Sequence, residues 1–228
     1  METNKFHEKI KGQPFAVLSD LVYDFLLEMI ITMKMLPGTR INEAQIAKQL
    51  EVSRSPIRTA IERLINERLV IKESGKNPFV ALITPEDCLQ ITQARIVIES
   101  NASYLASQVI DRVNLEKLKK LALDYEKIVD NIELDGFETC DHEFHSCIVS
   151  ASGNPYIIEM YNCIQSRVLR YRYYLRHRLG NHTLQKILKG SIKSHWAICY
   201  ALEIGLPTVA RDEVERHSDA MRDVFAKW

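Results

Sequence analysis

The chain has 228 residues with 30 basic and 30 acidic side chains, a formal net charge of zero that excludes a protein bathed in positive potential, so attraction to a polyanion requires a local patch. At 46% hydrophobic and 26% charged it has an ordinary globular composition, too long for one small module; two domains are expected, residues 1–83 and 84–228. The five cysteines, Cys88, Cys140, Cys147, Cys163 and Cys199, lack a CxxC pair and suit buried small hydrophobes in a reducing cytoplasm better than a disulfide framework; with no signal peptide or bilayer-length apolar run, a cytoplasmic chain is expected.

The apolar stripe Leu18, Leu21, Val22, Phe25, Leu26 and Met29 predicts a first helix, ending before Pro37-Gly38. From Ile41 to Leu64 the sequence reads as two short amphipathic helices joined by a tight turn. Ile46, Ala47 and Leu50 give the first its inner face; Ile57, Ala60, Ile61 and Leu64 recur at i, i+3, i+4 and i+7 in the second. Arg54, Ser55, Arg58 and Glu62 then point outward. Ser53 stands where a cap is expected, and Pro56 is tolerated because first-turn amides lack partners inside a helix. Next, Leu69-Val70-Ile71 and Phe79-Val80-Ala81 flank the turn residues Ser74-Gly75-Lys76-Asn77, a hairpin that would form a wing. Amphipathic helix pairs are common in all-α proteins. The wing and the crowding of Arg54, Arg58, Arg63, Arg68, Lys72 and Lys76 favour DNA binding, because such charge supplies the phosphate term and the start of the second helix reaches base edges.

The run INEAQIAKQLEVSRSPIRTAIERLINERLV resembles the winged helix-turn-helix of the GntR family of bacterial transcription regulators, which carries an SR-x-P-(hydrophobic)-R segment. The resemblance implies double-stranded operator DNA as partner. It assigns DNA contacts to Ser53, Arg54, Ser55 and Arg58, and to Ser74, Gly75 and Lys76 at the wing tip. Ala44 replaces a frequent basic residue in the preceding helix, and Arg68 a frequent glycine before the wing.

Thr84-Pro85-Glu86-Asp87 predicts a capped helix start. From there helices are expected near 85–109, 113–131, 135–151, 155–179, 183–204 and 207–226, punctuated by Gly136, Gly153-Asn154-Pro155, Gly180-Asn181 and Gly205-Leu206-Pro207. Asp141 and His145 fall on the inward stripe of Phe137, Phe144 and Ile148. His195 shares a stripe with Leu188, Ile192, Cys199 and Leu202, and His217 with Val214, Met221 and Val224. A lone inward histidine is usually a satisfied core residue. One aspartate and three histidines turned into one core make a divalent-metal site, because inward polar groups need partners. His142 and His182 fall off these stripes and are expected at the surface.

This half resembles the FCD ligand-binding domain of the FadR-like branch of the same family. The matching elements are Asp141-His142-Glu143-Phe144-His145 followed by Gly153-Asn154-Pro155, then Ser194-His195 and Glu215-Arg216-His217. The resemblance implies metal ligands at Asp141, His145, His195 and His217, and a small carboxylate effector near the ion. Zinc, nickel, manganese or iron would suit such ligands. Arg95 matches a cavity-facing arginine, although an ordinary intrahelical pair with Glu99 is an equal alternative. Arg167, Arg170, Arg172, Arg176 and Arg178, interleaved with Tyr171, Tyr173 and Tyr174, are read chiefly as a solvated face; a pocket for an anionic ligand and a dimer contact are the alternatives. The expected fold is mainly α, a winged helix-turn-helix followed by an antiparallel helical bundle. The expected function is a non-enzymatic homodimeric regulator that reads a palindromic operator under effector control. A direct metal sensor and a metal-dependent hydrolase using Glu143 as base are the alternatives; Glu143 points away from the ligand stripe.

Overall fold

The computed structural model describes residues 2–13 and 15–225 and divides into two compact units, Met1–Ile83 and Thr84–Trp228. The first contains α1 (Glu2–Gly12), α2 (Leu18–Ile31), α3 (Glu43–Gln49), α4 (Arg54–Asn66), β1 (Val70–Ile71) and β2 (Phe79–Val80). None of these helices buries enough surface to stand alone. Val22 and Leu26 of α2 pack with Ile57, Ile61 and Leu64 of α4 and with Ala47 and Leu50, making the core the apolar stripes require. Asn42 opens α3 by accepting from the Gln45 amide at 3.1 Å. The two strands pair antiparallel, Val70 with Val80 and Ile71 with Phe79, and Arg40 bridges to Phe79 on the other side. Helix α1 has no counterpart in the sequence reading. Among its described residues the deep anchor is Phe6, 2% exposed and edge-on to Phe25 at 5.4 Å, too sparse an apolar pattern to announce a helix.

The second unit contains α5 (Pro85–Val109), α6 (Arg112–Asp130), α7 (Phe137–Ala151), α8 (Pro155–Asn162), α9 (Gln165–Leu179), α10 (Asn181–Glu203) and α11 (Pro207–Phe225). Thr84 and Asp87 form the reciprocal capping box at the start of α5, with Pro85 in the first turn. Helix α5 packs chiefly against α11, and α6 packs against both α7 and α10. The helix expected over 155–179 is two helices. Cys163 and Ile164 break it, and the break buries Tyr161 and Ile164 to 2% and 8% exposure, carrying α8 onto Ala102 of α5 and Val149 of α7. No glycine or proline marks this break, so periodicity ran through it. Residue 226 and the Met221 side chain lie outside the described residues.

Candidate nucleic-acid interface and metal centre

Helix α4 separates its faces cleanly. Ile57, Ala60, Ile61 and Leu64 are at most 2% exposed, while Ser53, Arg54, Ser55 and Arg58 lie in solvent. Ser53 holds the extended backbone of a cap, but its side chain makes no capping hydrogen bond among the described residues. The third helical residue is Pro56, which has no amide to offer. The start of α4 therefore keeps free amides at a positive helix end, flanked by two guanidinium groups, an arrangement suited to phosphate. At the hairpin tip Ser74, Gly75 and Lys76 are exposed; Gly75 turns the chain at φ 72°, and Lys76 donates to Glu73 at 2.6 Å. Arg63 faces elsewhere: it pairs with Asp20 at 2.5 Å and lies 3.8 Å over the Tyr23 ring, so it does not join this basic surface. Ala44 is exposed on α3, and Arg68 adopts φ 60° where glycine is the easier residue.

In the second unit α7 carries Asp141 and His145 one turn apart, α10 carries His195 and α11 carries His217. One ligand atom from each falls within 4.8 Å of all the others. Asp141, His145 and His195 are buried and His217 half-buried. His195 Nε2 lies 3.3 Å from Asp141 Oδ1, and His145 Nε2 lies 3.7 Å from the same oxygen and 3.1 Å from His217 Nε2. Neither ring nitrogen of His195 makes a hydrogen bond among the described residues. A wholly buried imidazole with only the Asp141 oxygen at 3.3 Å beside it is poorly satisfied, and a cation among these four groups would complete it.

Behind the four stands a second layer. His145 Nδ1 sits 2.8 Å from Glu99 Oε2, and His217 Nδ1 sits 2.8 Å from Ser194 Oγ, contacts that leave each Nε2 facing the cluster. Glu99, wholly buried, accepts from Arg95 Nε at 2.8 Å and Nη2 at 3.0 Å. Burial pushes the Glu99 carboxyl up, but Arg95 and His145 outweigh it and hold it well below the usual range. Asp141 behaves alike: burial opposes its charge, and the Arg172 guanidinium, with Nε 2.5 Å from Oδ2, leads the groups that keep it ionised. Burial lowers both His195 and His217, the latter strongly with help from the neighbouring imidazoles. One carboxylate and two imidazoles held neutral match the protonation a divalent cation needs.

A cavity of about 40 Å³ adjoins the cluster and is lined in part by Arg95, Asp141, Arg172 and His217. Arg95 thus meets both alternatives, paired along its helix and present at the cavity. The arginines of α9 are only in part a solvated face: Arg178 is exposed, whereas Arg170, Arg172 and Arg176 turn inward or into ion pairs. Arg170 and Arg172 are 2% and 8% exposed, and Arg176 reaches Asp135 at 3.1 Å and Glu138 at 3.5 Å. The acidic partners of Arg172 and Arg176 come from other segments, which is why the helix's own composition misled. His142 also departs from expectation. It is half-buried and stacked on Tyr161 at 6.3 Å, whereas His182 is exposed. Glu143 is exposed and takes no part in the cluster.

Residues 18–80 match the model of the bacterial regulatory proteins of the gntR family, and residues 90–220 match that of the FCD domain, which alone spans more than half of the chain. The chain belongs to the GntR family. It is a DNA-binding transcription regulator of the FCD type, and the curated relatives it matches are regulators rather than enzymes. It is 31% identical over 174 residues to the HTH-type transcriptional regulator YdhC of Bacillus subtilis (strain 168), covering 73% of this chain and 74% of that one. It is 28% identical to the Nta operon transcriptional regulator of Aminobacter aminovorans over 140 residues, 61% of this chain and 66% of that one. Among solved structures, McbR/YncC of E. coli superposes with a TM-score of 0.78 at 18% identity, over 93% of this chain and 99% of that one, a likeness of fold. Among the described residues no helix is long and apolar enough to cross a membrane.

Within this GntR chain, sequence reasoning brought the four candidate ligands to one point but missed their supports Glu99, Arg172 and Ser194. The signal for Glu99 was present. Cys88, Ile91, Arg95, Glu99, Ala102 and Ala106 form one inward stripe of α5, so its carboxylate had to be buried. Arg172 stands between Val168 and Leu175 on the buried side of α9 in the same way.

Proposed function

We propose that this GntR regulator acts as a homodimer on a palindromic operator, under the control of a small carboxylate held beside a divalent ion in its FCD domain. Ser53, Arg54, Ser55 and Arg58 read base edges and phosphates, and Ser74, Gly75 and Lys76 touch the backbone from the wing. Asp141, His145, His195 and His217 hold the ion, with Arg95 at the adjoining cavity. The observation that carries this reading is the convergence of four ligand atoms within 4.8 Å, next to a cavity that holds two arginines.

The bound ion supplies positive charge and an open coordination position for a carboxylate oxygen. Glu99 and Ser194 orient His145 and His217. Zinc, nickel, manganese and iron all accept such a donor set. The acid would favour one relative placement of the two DNA readers, setting whether both recognition helices reach half-sites about 34 Å apart.

The test combines metal analysis of the purified protein, thermal shifts with a panel of small carboxylates and operator affinity with and without them, using His195→Ala as control. A carboxylate that stabilises only the metal-loaded wild type and changes operator affinity supports the reading. If none does, or if His195→Ala responds equally, the metal-assisted effector is wrong; a metal effect on DNA affinity without any acid replaces it with direct metal sensing.

A further inference from the structure

Resting on the reading above, we infer that the effector is a short-chain monocarboxylate of about two to four carbons with an apolar end, and that Arg172 takes its carboxylate. The fork of Arg95 is occupied, since Nε and Nη2 both donate to Glu99. Arg172 spends only Nε, on Asp141; its Nη1 and Nη2 are buried at the cavity and have no hydrogen-bond partner among the described residues. Two adjacent open donors on a buried guanidinium are a costly arrangement that a carboxylate relieves in bidentate fashion. Ser218 Oγ, also at the cavity, is buried and open in the same way.

The remaining wall fixes the rest of the molecule. Ile91, Phe137, Val168 and Leu188 give it an apolar side, and Tyr125 and Ser191 bring hydroxyls to the rest. The volume, about 40 Å³, has room for roughly three waters, hence for a carboxylate and a short alkyl end. A six-carbon sugar acid is several times too large for that volume. Between α10 and α11 a surface groove shares Ser191 and His217 with the cavity and carries Lys193, with Arg216 paired to Glu213 at 2.7 Å beside it.

Titration calorimetry on the metal-loaded, full-length protein, with acetate, propionate, butyrate, gluconate and citrate, tests both halves. A short acid is expected to bind at least about ten-fold tighter than gluconate or citrate, and Arg172→Met to lose about ten-fold or more, the worth of a charge-assisted hydrogen bond. Because Arg172 touches Asp141, metal content is measured for that variant. Leu188→Ala and Val168→Phe reshape the wall without touching the ligands: the first moves the preferred acid toward longer chains, the second abolishes binding of butyrate while metal is retained. Gluconate or citrate binding as well as the short acids overturns this inference alone, as does full butyrate affinity in metal-loaded Arg172→Met or an unchanged chain-length preference in Leu188→Ala. Binding by no acid of either kind overturns it together with the carboxylate reading.

Discussion

Glu99→Gln is the sharpest single perturbation of this domain, because one buried carboxylate serves both a guanidinium and an imidazole. Its side chain is fully buried, takes two hydrogen bonds from Arg95 at 2.8 and 3.0 Å and lies 2.8 Å from His145 Nδ1. The amide has nearly the same shape but no charge, and it puts an NH2 where an oxygen accepted. Arg95 is then left as a buried cation without a counter-charge, a loss of about 3–5 kcal/mol. At about 2–4 °C per kcal/mol the melting temperature falls by roughly 6–20 °C. Metal affinity falls about 10- to 100-fold as His145 loses the group that orients it. Thermal denaturation and metal titration of the same preparation read both effects. Replacing Arg95 and Glu99 together by methionine restores most of the stability, because an apolar pair leaves no buried charge behind. A Glu99→Gln protein within about 1 kcal/mol of wild type, the worth of an exposed pair, and with unchanged metal affinity refutes the reasoning.

Arg54→Ala with Arg58→Ala abolishes specific operator binding in a fluorescence-anisotropy titration while leaving the circular dichroism spectrum unchanged; wild-type affinity removes α4 from the interface. Arg68→Gly relieves a positive-φ residue and raises the denaturation midpoint by about 0.5–1 kcal/mol equivalent, and a loss of stability shows that the Arg68 side chain matters more than its backbone. Acid weakens the metal-free protein. Burial first, then the Arg172 charge, pushes His142 down to about 4, and burial lowers His195 and His217. The unfolded imidazoles bind protons near 6.5 while the folded ones stay neutral, so their contribution is complete above about pH 6.5 and is lost as the pH falls toward 4. Urea midpoints measured across that window decline, less so in His142→Gln; a flat profile contradicts the burial of these rings.

Much of the architecture was legible because both units are built from amphipathic helices whose stripes have one meaning. Thr84, Pro85 and Asp87 announced α5 by local chemistry alone, and the Val70 and Val80 pairing followed from turn residues between β-branched runs. What escaped depended on tertiary contact. The break at Cys163 and Ile164 has no local signal and exists because two faces must bury against different neighbours. Arg172 and Arg176 of α9 read as solvated because their partners Asp141, Asp135 and Glu138 come from far along the chain. His142 left the surface for the same reason, drawn against Tyr161 of α8.

The two oxygens of Asp141 look in opposite directions, Oδ1 toward the histidines and Oδ2 toward Arg172. On the function proposed above, a carboxylate divided in this way would make the ion and the acid thermodynamic neighbours. Whatever factor the ion adds to the acid's affinity, the acid adds to the ion's. Saturating acid should therefore slow the stripping of metal by a chelator, and a cell short of the ion would register the same acid concentration as a weaker message.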